Sequence, residues 1–234
     1  MKSGLKDKDP AIINELYDKR MKAAIGKQPY DAFNDYQSIN DDFTGLRDTT
    51  EVSAKVAQLK DSSDVKKEKK TRERLQDETK EYMGNLSKVL SDIHSSENVF
   101  PSIGDLEQRL RIHDLTSKVK KDPTSEEGLA AARMLASAFV NLSFYLPNEF
   151  LTHKDYKRAI LTLTLASEIK ENAPGVWYNM ACAYARSGNK KKAIEALNRS
   201  VDSGWKDANQ MATDPDLESI RKEPDFQAAL ARVK

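Results

Sequence analysis

An internal repeat constrains this chain more than any other feature of its sequence. Residues 156–163 read YKRAILTL and residues 190–197 read KKKAIEAL, so that Ala159 and Ala193 are separated by 34 residues. A period of this length is typical of helical hairpins, which bury their apolar faces by stacking on one another. The sequence therefore predicts a stack of helical hairpins in the C-terminal half of the chain.

The second repeat unit carries bulky, small and turn-forming residues at fixed spacing. They are Trp177, Met180, Ala181, Tyr184, Gly188, Ala193 and Leu197. Small alanines let two helices approach closely, and a glycine permits the tight turn between them. This spacing strongly resembles the tetratricopeptide repeat (TPR) family. The first unit is a degenerate version, because Pro147 stands where a small helix residue is expected and Lys154 where the turn glycine is expected.

The rest of the chain also has helical periodicity. There is no proline between Pro29 and Pro101, and apolar residues recur at steps of three and four. A long charged helix is predicted from about residue 63 to 94, and residues 129–144, apolar on nearly every side, predict a buried helix. The long helix has an apolar seam that we expect to pack on a helix at 103–120. That seam consists of Leu75, Tyr82, Leu86, Val89 and Ile93.

We therefore expect an all-α protein made of three segments. The first is a TPR-like trio of helices, the second a long helical hairpin, and the third the TPR-like repeats with capping helices. Their expected ranges are 1–60, 61–122 and 123–234. The alternative is a pair of independent domains hinged near residues 95–101, where Ser, Asn and Pro cluster.

A second resemblance rests on the order and the amino-acid sequence of several segments. They are the opening MKSG, the DFTGLRD of residues 42–48, the charged helix, the repeat that begins at Trp177, and the closing DPDL of residues 214–217. Together they are similar to the helical C-terminal region that follows an α/β-hydrolase domain in some bacterial predicted esterases. This resemblance implies a catalytic domain that precedes the chain in a longer protein.

We find no catalytic or cofactor motif in the chain. It has no Gly-x-Ser-x-Gly elbow, glycine-rich phosphate loop, dinucleotide fingerprint or His-Glu-x-x-His pair. The three histidines are 19 and 40 residues apart and do not have the spacing of metal ligands. Cys182 has no general base three or four residues away, so we interpret it as a small helix residue. We expect a non-enzyme with no cofactor and no metal.

Charge and hydropathy restrict the partners of the chain. Lys and Arg total 38 against 37 Asp and Glu, and this near-neutral balance argues against nucleic acid as the main ligand. Residues 55–74 have a local excess of four positive charges, and we interpret them as a solvated helix face rather than a phosphate-binding one. No stretch has about 20 consecutive apolar residues, and no signal peptide opens the chain, so we expect no membrane segment. The compartment stays open, and it is extracytoplasmic if the chain belongs to an exported hydrolase.

The function that the sequence favours is protein–protein interaction or scaffolding by the TPR-like repeats. Stacked hairpins present their first helices on a concave wall that binds peptides. In the family's pattern, the groove positions correspond to Tyr178, Asn179 and Arg186 in the clear unit and to Phe144 and Asn148 in the degenerate one. The expected partner is a protein or peptide, including a covalently linked catalytic domain. We expect a monomer, and the auxiliary region of a larger esterase is the alternative function.

Overall fold

The protein is all-α in the part of the chain that the computed structural model describes, residues 4–6, 8–95 and 101–233. Within these residues there is no β-strand, and the predicted helical-hairpin stack is confirmed. The chain divides into two compact units, Met1–Asp77 and Glu78–Lys234. This boundary differs from those of the three segments expected from the sequence. Most of the alternative hinge at 95–101 lies outside the described residues.

The first unit contains three short helices and the start of a long one. These helices are α1 (Pro10–Ala24), α2 (Pro29–Phe43), α3 (Thr50–Lys60) and α4 (Ser63–Ser95), which continues beyond the unit. Tyr17 and Phe43 meet edge to face in the core, with their ring centroids 5.3 Å apart. The basic start of α4 is partly neutralised, because Arg72 donates to both carboxylate oxygens of Asp31 and to Glu68. The three helices predicted in residues 10–60 are confirmed.

The second unit starts with the C-terminal part of α4, whose apolar seam is buried from Tyr82 to Ile93. The neighbouring segment was expected to be one helix over 103–120, and this expectation is wrong. It forms α5 (Ile103–Arg109) and α6 (Ile112–Lys121), separated by a left-handed residue, Arg111, with φ 52°. The side chain of Arg111 pairs with Glu78 on α4, and Lys118 pairs with the same carboxylate.

The apolar stretch that follows is not buried on every side, contrary to expectation. It forms α7 (Glu126–Val140), a π-helical turn (Asn141–Tyr145) and α8 (Leu146–Thr152). Pro147 has no N–H and its ring crowds the carbonyl four residues earlier, which disfavours a regular α-helical ladder at this point. The wider π turn ends two residues before this proline. One face of this region is exposed to solvent, unlike the surface of a fully packed core helix.

The repeat itself consists of α9 (Tyr156–Ile169), α10 (Pro174–Arg186) and α11 (Lys190–Asp202). The turns before α9 and α11 have the same backbone. Lys154 has φ 58° and Gly188 has φ 84°, and each is followed by a capping residue, Asp155 or Asn189. Both capping side chains accept a hydrogen bond from the backbone N–H three residues later. The 34-residue period of the sequence is thus also a period of the backbone.

The C-terminal segment, residues 205–233, packs on the last hairpin. It contains α12 (Ala208–Thr213), a 3₁₀ turn (Pro215–Leu217) and α13 (Pro224–Arg232). The 3₁₀ turn contacts α10, and α13 contacts α11. Prolines open the last two elements, as the sequence predicted, because their fixed φ suits the first helical position.

One stretch of the second unit has the length and apolarity of a membrane-spanning helix, namely Glu126–Thr152. In its most apolar window, 33% of the residues are buried inside the protein. A single helix of this kind is weak evidence for a membrane segment, because core helices of globular proteins meet the same criteria.

Gly128 is held in a contact that only glycine fits, and replacing it is a direct test of the packing at the start of α7. A Cβ at this residue would lie 1.9 Å from the carbonyl oxygen of Asp122. We expect Gly128→Ala to destabilise the protein by about 1 to 3 kcal/mol through overpacking, although alanine favours helix by about 1 kcal/mol. The control is Gly84→Ala in α4, where an added Cβ would meet no atom within 4 Å outside its chain neighbours and its own helix backbone, so that stabilisation is expected. Urea denaturation measures both, and equal stabilisation of the two variants would contradict the assigned contact.

Candidate protein-binding surface

Tyr178 does not face an open groove, and the sequence-based expectation for this residue is wrong. Its side chain lies on α10 and is 2% exposed. The ring stacks on Trp205 with the centroids 4.1 Å apart, and the phenol donates a hydrogen bond of 2.9 Å to Asp214 Oδ2. Both partners belong to the C-terminal segment, which the sequence predicted to be a cap but did not place on these groove residues.

The other groove positions of α10 are covered in the same way. Arg186 is partly buried, and its guanidinium lies 3.4 Å from Asp216 and over the ring of Tyr156. The hydroxyl of Ser219 donates to the carbonyl of Ala185. Asn179 is half-buried on the same helix. The residues predicted to bind a peptide in the clear repeat are therefore largely occupied by the chain's own residues 205–221.

Cys182, Asp214 and Asp216 form a cluster that the sequence did not suggest. Their ligand-type atoms lie within 4.8 Å of one another, close enough to surround a metal ion. Each already has a partner within the protein. Asp214 accepts from Tyr178 and from the backbone N–H of Asp216, Asp216 pairs with Arg186, and the thiol lies 3.9 Å from Asp214. The cluster therefore serves to fasten the C-terminal segment to α10.

Burial and negative charge suppress ionisation in this cluster. Desolvation raises the pKa of the Cys182 thiol far above its ordinary value, and the carboxylates of Asp214 and Asp216 raise it further. Desolvation also raises the pKa of Tyr178, with its hydrogen bond to Asp214 as the second cause. A neutral thiol is a poor nucleophile, so Cys182 in this setting is unsuited to covalent catalysis.

The groove residues of the degenerate repeat have the opposite environment. Phe144 is 55% exposed and Asn148 is exposed, on the solvent side of the π turn and α8. Tyr145, which was not among the groove residues expected from the sequence, is 60% exposed and packs edge to face on Phe144, with the centroids 5.3 Å apart. We call this pair, together with Asn148, the α8 surface.

Two further apolar side chains on the same long helical stretch are exposed, Leu129 and Val140. Their exposure was not expected from the sequence, because residues 129–144 are apolar on nearly every side and predict a buried helix. Since Val140 and Phe144 are four residues apart, they lie near the same face of the helical stretch. The apolar surface therefore extends from the α8 surface toward α7.

A shallow depression with excess positive charge lies at the other end of α8. It is lined by His153, Lys154, Asp155, Tyr156, Lys157, Arg186 and Ser187. Asp155 pairs with Arg158, and Arg186 pairs with Asp216. Lys154 and Lys157 are exposed and make no ion pair within residues 4–6, 8–95 and 101–233. The sequence offered a partial signal here, because Lys154 occupies the position of the repeat's turn glycine.

The described residues thus define an all-α protein of stacked helical hairpins with one covered and one open surface. No family model and no solved structure matches the chain. Among curated proteins it is similar to a chloroplastic protein of Arabidopsis thaliana, with 37% identity over 60 residues. The match covers 26% of this chain and 18% of that protein, so the chain spans less than a fifth of the relative's length. The resemblance to the region that follows a hydrolase domain is not addressed by these comparisons and stays a prediction.

The buried position of Tyr178 makes it a determinant of stability. We expect Tyr178→Ala to lower the free energy of unfolding by about 3 to 5 kcal/mol, because it removes a buried aromatic and leaves a cavity. Tyr178→Phe should cost about 1.5 to 3 kcal/mol through loss of the hydrogen bond to a carboxylate. Tyr145→Ala, at an exposed position, should change stability by less than about 0.5 kcal/mol. Thermal and urea unfolding followed by circular dichroism measure all three, and an unchanged Tyr178→Ala would show that residues 205–221 do not cover this side chain.

The environment of Cys182 predicts an unreactive thiol. Because thiolate is the reacting form and burial suppresses it, the folded protein should react with iodoacetamide at pH 8 at least about tenfold more slowly than free glutathione. The same protein in urea should react at a rate close to that of glutathione. Mass spectrometry of time points gives both rates, and rapid labelling of the folded chain would contradict the buried assignment.

Proposed function

We propose that this chain is a non-catalytic protein-interaction module built on TPR-like helical hairpins, with the α8 surface as its docking site. The observation on which the proposal rests is the pair Phe144 and Tyr145, two adjacent aromatic side chains that are both more than half exposed. Aromatic residues are enriched among the side chains that dominate the energetics of protein interfaces.

The contact between neighbouring exposed apolar side chains supports the proposal. Single exposed apolar side chains are common on protein surfaces and need no explanation. Here Phe144 and Tyr145 are in contact, and Val140 lies one helical turn away with 41% of its surface exposed. Contiguous apolar patches on folded proteins are associated with interaction sites, because covering them removes apolar area from water.

The TPR-like part of the proposal is supported by agreement between sequence and backbone. Lys154 and Gly188, which are 34 residues apart, both adopt left-handed backbone conformations in equivalent turns. Each turn places a capping side chain at the start of the following helix. Within the clear unit, Ala181 and Ala193 are fully buried where the family's pattern has small residues.

The non-catalytic part of the proposal rests on the chemistry available around the two surfaces. The thiol that lies on the covered groove is buried beside carboxylates, which oppose its ionisation. The open α8 surface consists of two aromatic side chains and an amide, which are suited to binding and orienting a partner. Recognition is thus the activity that fits these residues best.

A cross-linking experiment tests the proposed docking site. The photoreactive residue p-benzoylphenylalanine replaces Phe144 in one version of the full chain and Ile25, which is 70% exposed, in another. We expect a discrete cross-linked partner protein from position 144 and none from position 25. The variant Phe144→Ala with Tyr145→Ala should bind the recovered, purified partner at least about tenfold more weakly, as expected for aromatic hot spots.

The matched control removes exposed apolar surface elsewhere. Ile12→Ala with Ile25→Ala truncates two exposed isoleucines in the first unit and should leave the affinity for that partner unchanged. Circular dichroism and urea denaturation establish that all variants are folded. Equal loss of binding in both double variants, or the same cross-links from positions 144 and 25, would overturn the assignment of the α8 surface.

A further inference from the structure

We propose that the segment bound by the α8 surface is acidic, with an aromatic or large aliphatic anchor at one end and two or more carboxylates at the other. This inference rests on the proposed function, and it adds the chemistry and the direction of the partner. The anchor contacts Phe144 and Tyr145, and the carboxylates approach Lys154 and Lys157. The partner is a polypeptide segment of another protein.

The first basis is the continuity of the exposed side of α8. Phe144, Asn148 and Thr152 follow one another at steps of four residues and are all exposed. Tyr145, Glu149 and His153 form a second exposed row beside them. The two rows lead from the aromatic pair to the cationic depression. At about 1.5 Å per residue, the ten steps from residue 144 to residue 154 span about 15 Å.

The second basis is the balance of charge at the two ends of this path. At the far end, Lys154 and Lys157 are exposed and have no ion-pair partner in the part of the chain that the structure describes. The acidic residues nearby are already engaged, since Asp155 pairs with Arg158 and Asp216 pairs with Arg186. Midway along the path, Glu149 lies 3.7 Å from His94, which forms an ion pair with it only when the imidazole is protonated. An incoming carboxylate at the lysines therefore meets uncompensated positive charge.

The third basis is the position of Lys154 in its turn. It is in the left-handed region, with φ 58°, in the turn whose counterpart in the next hairpin is occupied by Gly188. The backbone N–H of Asp155 bonds to the carbonyl of Phe150, and that of Asn189 bonds to the carbonyl of Tyr184, so both turns close in the same way. The rim of the depression is thus a closed turn that carries a lysine. The closure of the turn fixes the backbone position from which the Lys154 side chain extends.

These features assign different tasks to the two ends of the partner segment. Exposed charge pairs contribute little affinity, so the apolar anchor supplies most of it. The lysines instead accelerate association and fix the direction in which the segment lies. An extended chain rises about 3.3 Å per residue, so a distance of about 15 Å separates the anchor from the carboxylates by four or five residues.

The test uses the full chain and a fluorescein-labelled synthetic peptide with a tryptophan, four Gly/Ser residues and three consecutive glutamates. Fluorescence anisotropy gives its dissociation constant. We expect replacement of the glutamates by glutamines to weaken binding at least about fivefold. Replacement of the tryptophan by alanine should weaken it at least about tenfold. Raising the salt concentration should weaken the glutamate peptide and leave the glutamine peptide nearly unchanged.

The protein variants locate the two contacts. Lys154→Gly with Lys157→Ala removes both charges and places in the left-handed turn the residue that suits it best. It should weaken the glutamate peptide at least about fivefold and leave the glutamine peptide unaffected. The control Lys120→Ala with Lys121→Ala removes two lysines from the end of α6 and should have no effect. Phe144→Ala with Tyr145→Ala should weaken both peptides.

The outcomes separate this inference from the function on which it rests. If the two peptides bind equally and only the Phe144 and Tyr145 variant loses binding, the acidic preference is wrong and the docking site stands. If neither peptide binds while the cross-linked partner still depends on Phe144, the partner chemistry proposed here is wrong. If polyphosphate or single-stranded RNA binds through Lys154 and Lys157 and the peptides do not, the depression is a polyanion site and the inference is overturned. Loss of peptide binding in the Lys120 and Lys121 control would likewise overturn it.

Discussion

The close approach of helices at small side chains is the constraint on which the C-terminal half depends. Ala159 in α9, Ala181 in α10 and Ala193 in α11 have no exposed surface, and each lies on a helix that contacts its neighbour along the chain. Small residues at helix contacts bring the backbones together and leave no room for large side chains between them. The bulky residues of α10 must therefore lie on its remaining faces. Trp177 is one of them, packed under the guanidinium of Arg199 and donating to the carbonyl of Glu171.

Tyr178 is the residue for which this arrangement has the largest consequence. A tyrosine on the free face of α10 would expose an aromatic ring, and the C-terminal segment removes that surface from water by stacking Trp205 on it. The same segment brings Asp214 to the phenol and Asp216 to Arg186, so polar groups on the covered face are paired rather than buried alone. The face of α10 that the sequence predicted to be an open groove is therefore filled by the chain itself. In the preceding hairpin, the corresponding residues Phe144 and Asn148 are exposed.

The open surface has its own local cause. Pro147 cannot continue a regular helical ladder, and the π turn Asn141–Tyr145 directly precedes the helix that contains it. Phe144 and Tyr145 lie in that turn, with their rings in contact and directed to solvent. Pro147, at which the first repeat departs from the pattern, thus lies close to the exposed aromatic pair. The lysine that replaces the turn glycine, Lys154, lies at the other end of the same short helix. Both departures from the repeat pattern border the proposed binding surface.

The sequence by itself determined the helices, their order and the period of the repeat, because these depend on local spacing. The local signals are apolar residues at steps of three and four, prolines and capping residues at helix starts, and glycine in the tight turn. It also selected Phe144 and Asn148 as groove residues, and both side chains are exposed. It failed at Arg111, where one expected helix is two, and at residues 129–144, where apolar composition was interpreted as complete burial. Only the tertiary structure decided which face of each helix is covered. The contact of Tyr178 with Trp205 and Asp214 joins residues 27 and 36 positions apart, and the spacing of a helix contains no information about what packs on it from that distance.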